Sequence, residues 1–262
     1  MKRVLTAAVL APLIVYVVVW APFWAFLAVL TAVALLCFHE FNGLVAAHDI
    51  PPPGAFGFAV GLAVLASWFT PDREGTLLAL IALGSLVVST FGTSDLRRVL
   101  PRAGAILLGV VYIFGSWRCS IGLRFANPHW MMFALALNWI GDTAAMYAGR
   151  TFGRHKLAPV LSPKKSWEGS VASVVSSVIF GVAYIPQVIA AVAWWEVAGI
   201  AAVANVAGQI GDLSESALKR GAGMKDSGTL LPGHGGWLDR VDSSLFAVPV
   251  VYGWLLLRGL AR

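Results

Sequence analysis

SALKRGAGMKDSGTLLPGHGGWLDRVD, residues 216–242, sets acids and bases among six glycines (221, 223, 228, 233, 235 and 236) in a chain that is mostly apolar. Asp212 and Glu215 lie just before the segment, and Asp226, Asp239 and Asp242 lie within it, together with Lys219, Arg220, Lys225, His234 and Arg240. This mixture suits a magnesium ion and a polyphosphate. The acids offer hard oxygen ligands, the bases offer charge to phosphate oxygens, and the glycines let backbone approach closely. A surface loop accounts for glycines alone but not for the paired acids.

Outside this segment the composition is that of a membrane protein. Of 262 residues, 58% are hydrophobic and only 12% are charged, with a mean hydropathy of +0.78. A soluble domain has more charge than this, so lipid must solvate much of the surface. Nothing marks off a separate soluble domain, and residues 1–262 read as a single polytopic unit with N-terminal helices (1–125) followed by the polar blocks (126–262). Cys37 and Cys119 have no CxxC spacing and read as small apolar side chains in helices. The opening MKRVLTAAVLAPLIVYVVVW lacks a convincing small-residue cleavage site and reads as a retained first span.

About twenty apolar helical residues cross a hydrocarbon core. The expected spans are Val4 to Trp20, Phe23 to Phe38, Ala55 to Phe69, Thr76 to Phe91, Ala103 to Trp117, Trp130 to Tyr147 and Ser170 to Ile185. Beyond Pro186 come a helical stretch ending near Arg220 and a last span from Leu245 to Leu257, giving about nine, with one span uncertain around Pro186. The architecture expected is thus an all-α integral membrane bundle. His39 and Glu40 read as an interfacial pair closing the second span; no second His follows four residues after His39, so the zinc-protease HExxH reading fails.

Three features carry chemistry. Asn138 and Asp142 are four apart in the sixth span and share a helical face, and ionisable residues in spans are functional candidates by default. Between Arg150 and Lys165 there are five basic residues and no acid. There Ser162-Pro163 has the form of an N-cap followed by proline at the first helical position, which would point the seventh helix and Lys164-Lys165 at an anion. Asn205, Gln209, Asp212, Ser216 and Lys219 then form a polar stripe on an apolar helix, one that must face protein or a wet cavity.

With the amino terminus inside, fourteen of the nineteen Lys and Arg residues fall on the cytoplasmic side, leaving Arg73, Arg118, Arg124, Arg258 and Arg262 outside. This satisfies the positive-inside rule for the cell membrane and brings both polar blocks to the cytoplasmic face, where soluble nucleotides are available. The net charge of +6 fits a border with anionic lipid. Nucleic-acid binding would need a long solvated basic surface, which is absent.

The quoted segment resembles the signature of the phosphatidate cytidylyltransferase (CDP-diacylglycerol synthase) family, S-x-x-K-R-x4-K-D-x-G-x2-L-P-x-H-G-G-x-x-D-R-x-D. Ser216, Lys219, Arg220, Lys225, Asp226, Gly228, Leu231, Pro232, His234, Gly235, Gly236, Asp239, Arg240 and Asp242 all fall in register. Trp237 stands where the family usually has an aliphatic residue. Residues 141–170, GDTAAMYAGRTFGRHKLAPVLSPKKSWEGS, resemble the family's other polar block. The resemblance implies conversion of CTP and phosphatidate to CDP-diacylglycerol and pyrophosphate, and a small homodimer.

The lipid phosphate monoester is largely dianionic at neutral pH, its second pKa being ~6, so no general base is needed. Neutralising and positioning two anions is the larger task. Asp212 and Asp239 are the expected magnesium ligands. One ion uses only one or two protein carboxylates, which leaves Asp142, Asp226 and Asp242 to a second cation, to orienting ligands, or to pairing with Lys and Arg. Lys219, Arg220, Lys225 and Arg240 are the expected phosphate clamps, with Lys164 and Lys165 as a second bank. His234 is expected to donate to a phosphate rather than act as a base, and Ser216 is a possible neighbour of the ligands. Two alternatives have distinct outcomes. A polyprenol kinase or archaeal-type lipid cytidylyltransferase would use another acceptor, and a transporter would carry mid-span charges and internal repeats, neither of which is evident.

Overall fold

The computed structural model describes residues 2–70, 74–190, 192–230 and 235–261; side chains 2–9 and 74 lie outside the description. Its helices are α1 (Lys2–Val19), α2 (Phe23–Ala47), α3 (Gly54–Ala66), α4 (Glu74–Phe91), α5 (Val99–Gly109), α6 (Ser116–Ala126), α7 (Pro128–Phe152), α8 (Trp167–Val188), α9 (Trp194–Gly221) and α10 (Leu238–Leu257). A π-helical turn, Val110–Gly115, joins α5 to α6, so Leu96–Ala126 is one rod of 31 residues. Five rods are long and apolar enough to cross a membrane: α2, the α5–α6 rod, α8, α9 and α10. Shorter apolar helices occur at Leu10–Val19, Gly54–Phe69 and Gly75–Phe91. The protein is therefore a helical membrane protein. Its only strands among the described residues, β1 (Lys156–Ala158) and β2 (Ser162–Ser166), form an antiparallel hairpin.

Several boundaries differ from the sequence expectation. The second helix does not close at His39-Glu40 but continues to Ala47, because no breaker occurs before the Pro51–Pro53 run. The fifth continues past Trp117 and carries Arg118 and Arg124 on α6 rather than in a loop. Ser162-Pro163 is not a helix start, since both residues lie in β2. A proline is tolerated in so short a hairpin because its missing N–H can face outward. The cap of α8 is Ser166, whose hydroxyl accepts from Gly169 N at 3.2 Å, with Glu168 in the first turn. Pro186 lies in the last turn of α8 and does not break it.

The chain divides into two compact units that cut across the 1–125 and 126–262 halves. The first comprises Met1–Ala7, Pro22–Ile121 and Leu218–Arg240; the second comprises Ala8–Ala21, Gly122–Ala217 and Val241–Arg262.

In the first unit, aromatic rings fill the core. Phe38 of α2 packs against Phe58 at 4.9 Å and Phe114 at 5.1 Å between ring centroids. Gly61 of α3 leaves the space that the Phe114 ring occupies. Nearby, Arg118 donates from Nε to Ser67 Oγ at 3.0 Å and sits 5.6 Å over the Trp68 ring, which satisfies a charge on a long apolar rod.

In the second unit, α7 packs on the small-residue face of α8, where Gly169, Ser173, Ser177, Gly181 and Ile185 recur every fourth residue and are buried. Lipid tails are as apolar as leucine, so close packing and interhelical hydrogen bonds hold such helices together. Ser177 Oγ donates to Leu137 O at 2.9 Å. The polar stripe of α9 meets the same face: Asn205 Nδ2 donates to Ser173 Oγ at 3.1 Å and to Ser177 Oγ at 2.9 Å. Gln209 Nε2 donates to Asn205 Oδ1 at 2.8 Å and to Ser170 O at 3.2 Å. The upper part of the stripe is thereby satisfied by protein rather than lipid.

Candidate active site

In the first unit the end of α9, a glycine-rich loop and the start of α10 converge. The Lys219 Nζ donates to Asp239 Oδ1 at 2.6 Å, with the two side chains 10% and 8% exposed. The other oxygen, Oδ2, accepts from Gly236 N at 2.7 Å and Ser227 N at 2.9 Å. A glycine is required at 235, where φ is +81° and a Cβ would stand 2.8 Å from Asp239 Oδ2. Asp239 is thus held on both oxygens, and it holds the lysine.

A residue that sequence reasoning had placed at a helix end enters here. Glu40 is only 4% exposed. Its Oε2 accepts from Leu238 N at 2.9 Å and Ser227 Oγ at 3.0 Å, and its Oε1 accepts from Trp237 N at 3.0 Å. The signal available in the sequence was an ionisable residue inside an apolar run, LLCFHEFNGL, with helix continuing beyond it. Also in this unit, His48 Nε2 lies 2.9 Å from Leu218 O. Arg220 NH1 donates to Met224 O at 3.0 Å, and Arg220, Lys225, Asp226 and Arg240 are exposed. His234, with Leu231, Pro232 and Gly233, lies outside the described residues.

In the second unit, the Lys165 Nζ is 2.6 Å from Asp212 Oδ2, with side chains 27% and 29% exposed. Ser216 Oγ donates to Asp212 Oδ1 at 3.3 Å. An open cleft of about 460 Å³ is lined by Asp142, Arg150, Lys156, Lys164, Lys165 and Gln209, among others. It therefore has four cationic side chains and one acid. The hairpin β1–β2 places Lys156 beside Lys164 and Lys165, while α7 supplies Asp142 and Arg150. The sequence reading had named the last two lysines and Asp142 but not Arg150, Lys156 or Gln209 as lining residues. Asp242 is buried in the first turn of α10 and accepts from Ser243 N at 2.6 Å. Among the described residues no three His, Cys, Asp or Glu side chains cluster as a metal site would require if protein alone supplied it.

A helical membrane protein with a cation-lined cleft and a buried lysine held by an aspartate is equipped to handle phosphate anions. The chain belongs to the Cytidylyltransferase family, whose pattern it matches over residues 1–257. It is similar to the phosphatidate cytidylyltransferase of Staphylococcus aureus (strain COL), 34% identical over 224 residues that cover 83% of this chain and 85% of that protein. The phosphatidate cytidylyltransferase of Brucella suis biovar 1 (strain 1330) is 35% identical over 256 residues, covering 95% of this chain and 91% of that protein. That of Staphylococcus saprophyticus is 37% identical over 175 residues, 67% of each chain.

Proposed function

We propose that this chain is a phosphatidate cytidylyltransferase: the phosphate of phosphatidate attacks the α-phosphorus of CTP, forming CDP-diacylglycerol and releasing pyrophosphate. The observation that carries this reading is the family match over residues 1–257, joined to the cleft of Arg150, Lys156, Lys164 and Lys165. In the attack one phosphate–oxygen bond forms as the α–β bridge breaks, and the leaving pyrophosphate takes the electron pair. Because the attacking phosphate is already largely dianionic, the protein needs to lower anion–anion repulsion and hold the approach in line. Basic side chains of the cleft bind polyphosphate oxygens, and Lys219, oriented by Asp239, offers an ammonium to a substrate phosphate.

Magnesium belongs to the same proposal. Asp212 is a hard oxygen donor whose ammonium partner, Lys165, is partly exposed and lines the open cleft, which fits the donor chemistry of magnesium. Asp239, the other expected ligand, has both oxygens held by Lys219, Gly236 N and Ser227 N and would have to release one of them to take an ion. Asp142 and Asp242 are further candidates, including for a second cation. When bound, the ion would supply neutralisation of charge on the transferring phosphates.

The proposal also includes about nine membrane spans, a cytoplasmic face for both polar blocks, and a homodimer. The excess of Lys and Arg on the side expected to face inward supports the orientation. Purified protein incubated with labelled CTP and phosphatidate tests the activity. A CDP-lipid and pyrophosphate are expected, dependent on magnesium and lost with chelator; γ-phosphoryl transfer instead would show a lipid kinase. Cysteine labelling from each side of the membrane tests the orientation, and the mass of the detergent-solubilised protein tests the dimer.

A further inference from the structure

Glu40 is a buried carboxylate on a helix whose neighbouring buried residues, Phe38, Phe41 and Leu44, are apolar. Such burial costs several kcal/mol unless the charge is well hydrogen-bonded. All three of its hydrogen bonds reach the segment that holds Asp239. Ser227 is shared, its Oγ bonded to Glu40 and its N–H to Asp239. Three consecutive amides are divided between the same two acids: Gly236 N goes to Asp239, while Trp237 N and Leu238 N go to Glu40. The glycines of the loop are fitted to this arrangement. A Cβ on Gly228 would stand 2.6 Å from Glu40 Oε1, and one on Gly236 would overlap both Glu40 and Ser227 Oγ.

We propose that Glu40 is a positioning residue for cytidylyl transfer. It fixes Ser227 and residues 236–238, and through them sets the place of the Asp239 carboxylate and the Lys219 ammonium it orients. This role rests on the proposed reaction, in which Lys219 meets substrate phosphate. Glu40 acts through these hydrogen bonds and not on the reacting atoms.

The test uses the full-length protein in lipid, comparing Glu40→Gln with the parent and with Glu196→Gln. Glu196, whose side chain is 10% exposed and pairs with Arg258 at 2.9 Å in the second unit, serves as a control for neutralising a largely buried carboxylate away from the loop. Glu40→Gln keeps the shape but cannot accept from both backbone amides and the serine as a carboxylate does. Its expected effect is a fall in kcat of about 10- to 100-fold, the usual size for groups that orient a reacting residue, with KM for CTP changed far less. Faster amide exchange, read by mass spectrometry, should be confined to residues 227–239. Three results would overturn the proposal: kcat within about twofold of the parent, unchanged exchange in that segment, or faster exchange spread over all helices as for general destabilisation. If the parent protein makes no CDP-lipid, the proposed reaction fails, yet the exchange measurement still decides whether Glu40 holds the loop.

Discussion

Two lysine–aspartate pairs of equal length stand in contrasting surroundings. Lys219–Asp239 is 10% and 8% exposed and its carboxylate also accepts two backbone N–H groups, whereas Lys165–Asp212 is 27% and 29% exposed, with Lys165 lining an open cleft. In the first, Asp239 is fixed on both oxygens and holds the Lys219 ammonium in place, since a buried carboxylate changes partners only at a large desolvation cost. The second is reachable by solvent, so in the proposed reaction Lys165 would leave Asp212 for a phosphate and Asp212 would accept a metal ion at modest cost. The comparison assigns preorganisation to one region and ligand exchange to the other.

Breaking the buried pair should have the largest effect. Asp239→Asn is expected to abolish measurable turnover and to lower stability by about 3–5 kcal/mol, because Lys219 is left buried without its counter-charge; thermal melting with a parallel turnover assay reads both. Asp212→Asn should lower kcat by roughly 10²- to 10³-fold, the usual loss on removing one electrostatic contact to the reacting groups, while leaving the melting midpoint close to the parent. Equal melting losses in the two variants would erase the distinction drawn here.

Smaller effects sharpen it. Lys165→Met should raise KM for CTP by about 10- to 100-fold, corresponding to the ~1.5–3 kcal/mol of a charge-assisted hydrogen bond, and steady-state kinetics would show it. Gly235→Ala, forced to φ of +81° beside Asp239 Oδ2, should lose roughly 1–3 kcal/mol of local order, visible as faster amide exchange in the loop. Lys225→Ala, at an exposed site, should change KM by less than about fivefold, in keeping with the ~0–1 kcal/mol of surface charges.

The residues that could be named from the chain alone were those grouped within short segments. Lys219 and Asp239 belong to the 216–242 signature, and Lys164 and Lys165 to the basic loop, so type and spacing sufficed to nominate them. Their pairing did not follow from spacing. Lys219 was expected as a phosphate clamp and Asp239 as a metal ligand, and their direct contact depends on how the loop folds back. Arg150, Lys156 and Gln209 became cleft residues because α7, the β hairpin and α9 gather around one opening. Ser162-Pro163 misled because a local N-cap pattern was outweighed by the hairpin pairing of Ala158 with Ser162.

By itself the sequence determined that the protein is helical and membrane-embedded, because hydrocarbon tolerates only long apolar runs, and it nominated two polar blocks for anionic chemistry, because charge in such a chain is costly. Only the tertiary structure decided that Glu40 belongs to the loop around Asp239. Their link is a set of hydrogen bonds between residues up to 198 positions apart, and no periodicity in the chain encodes which distant amide a buried carboxylate will meet.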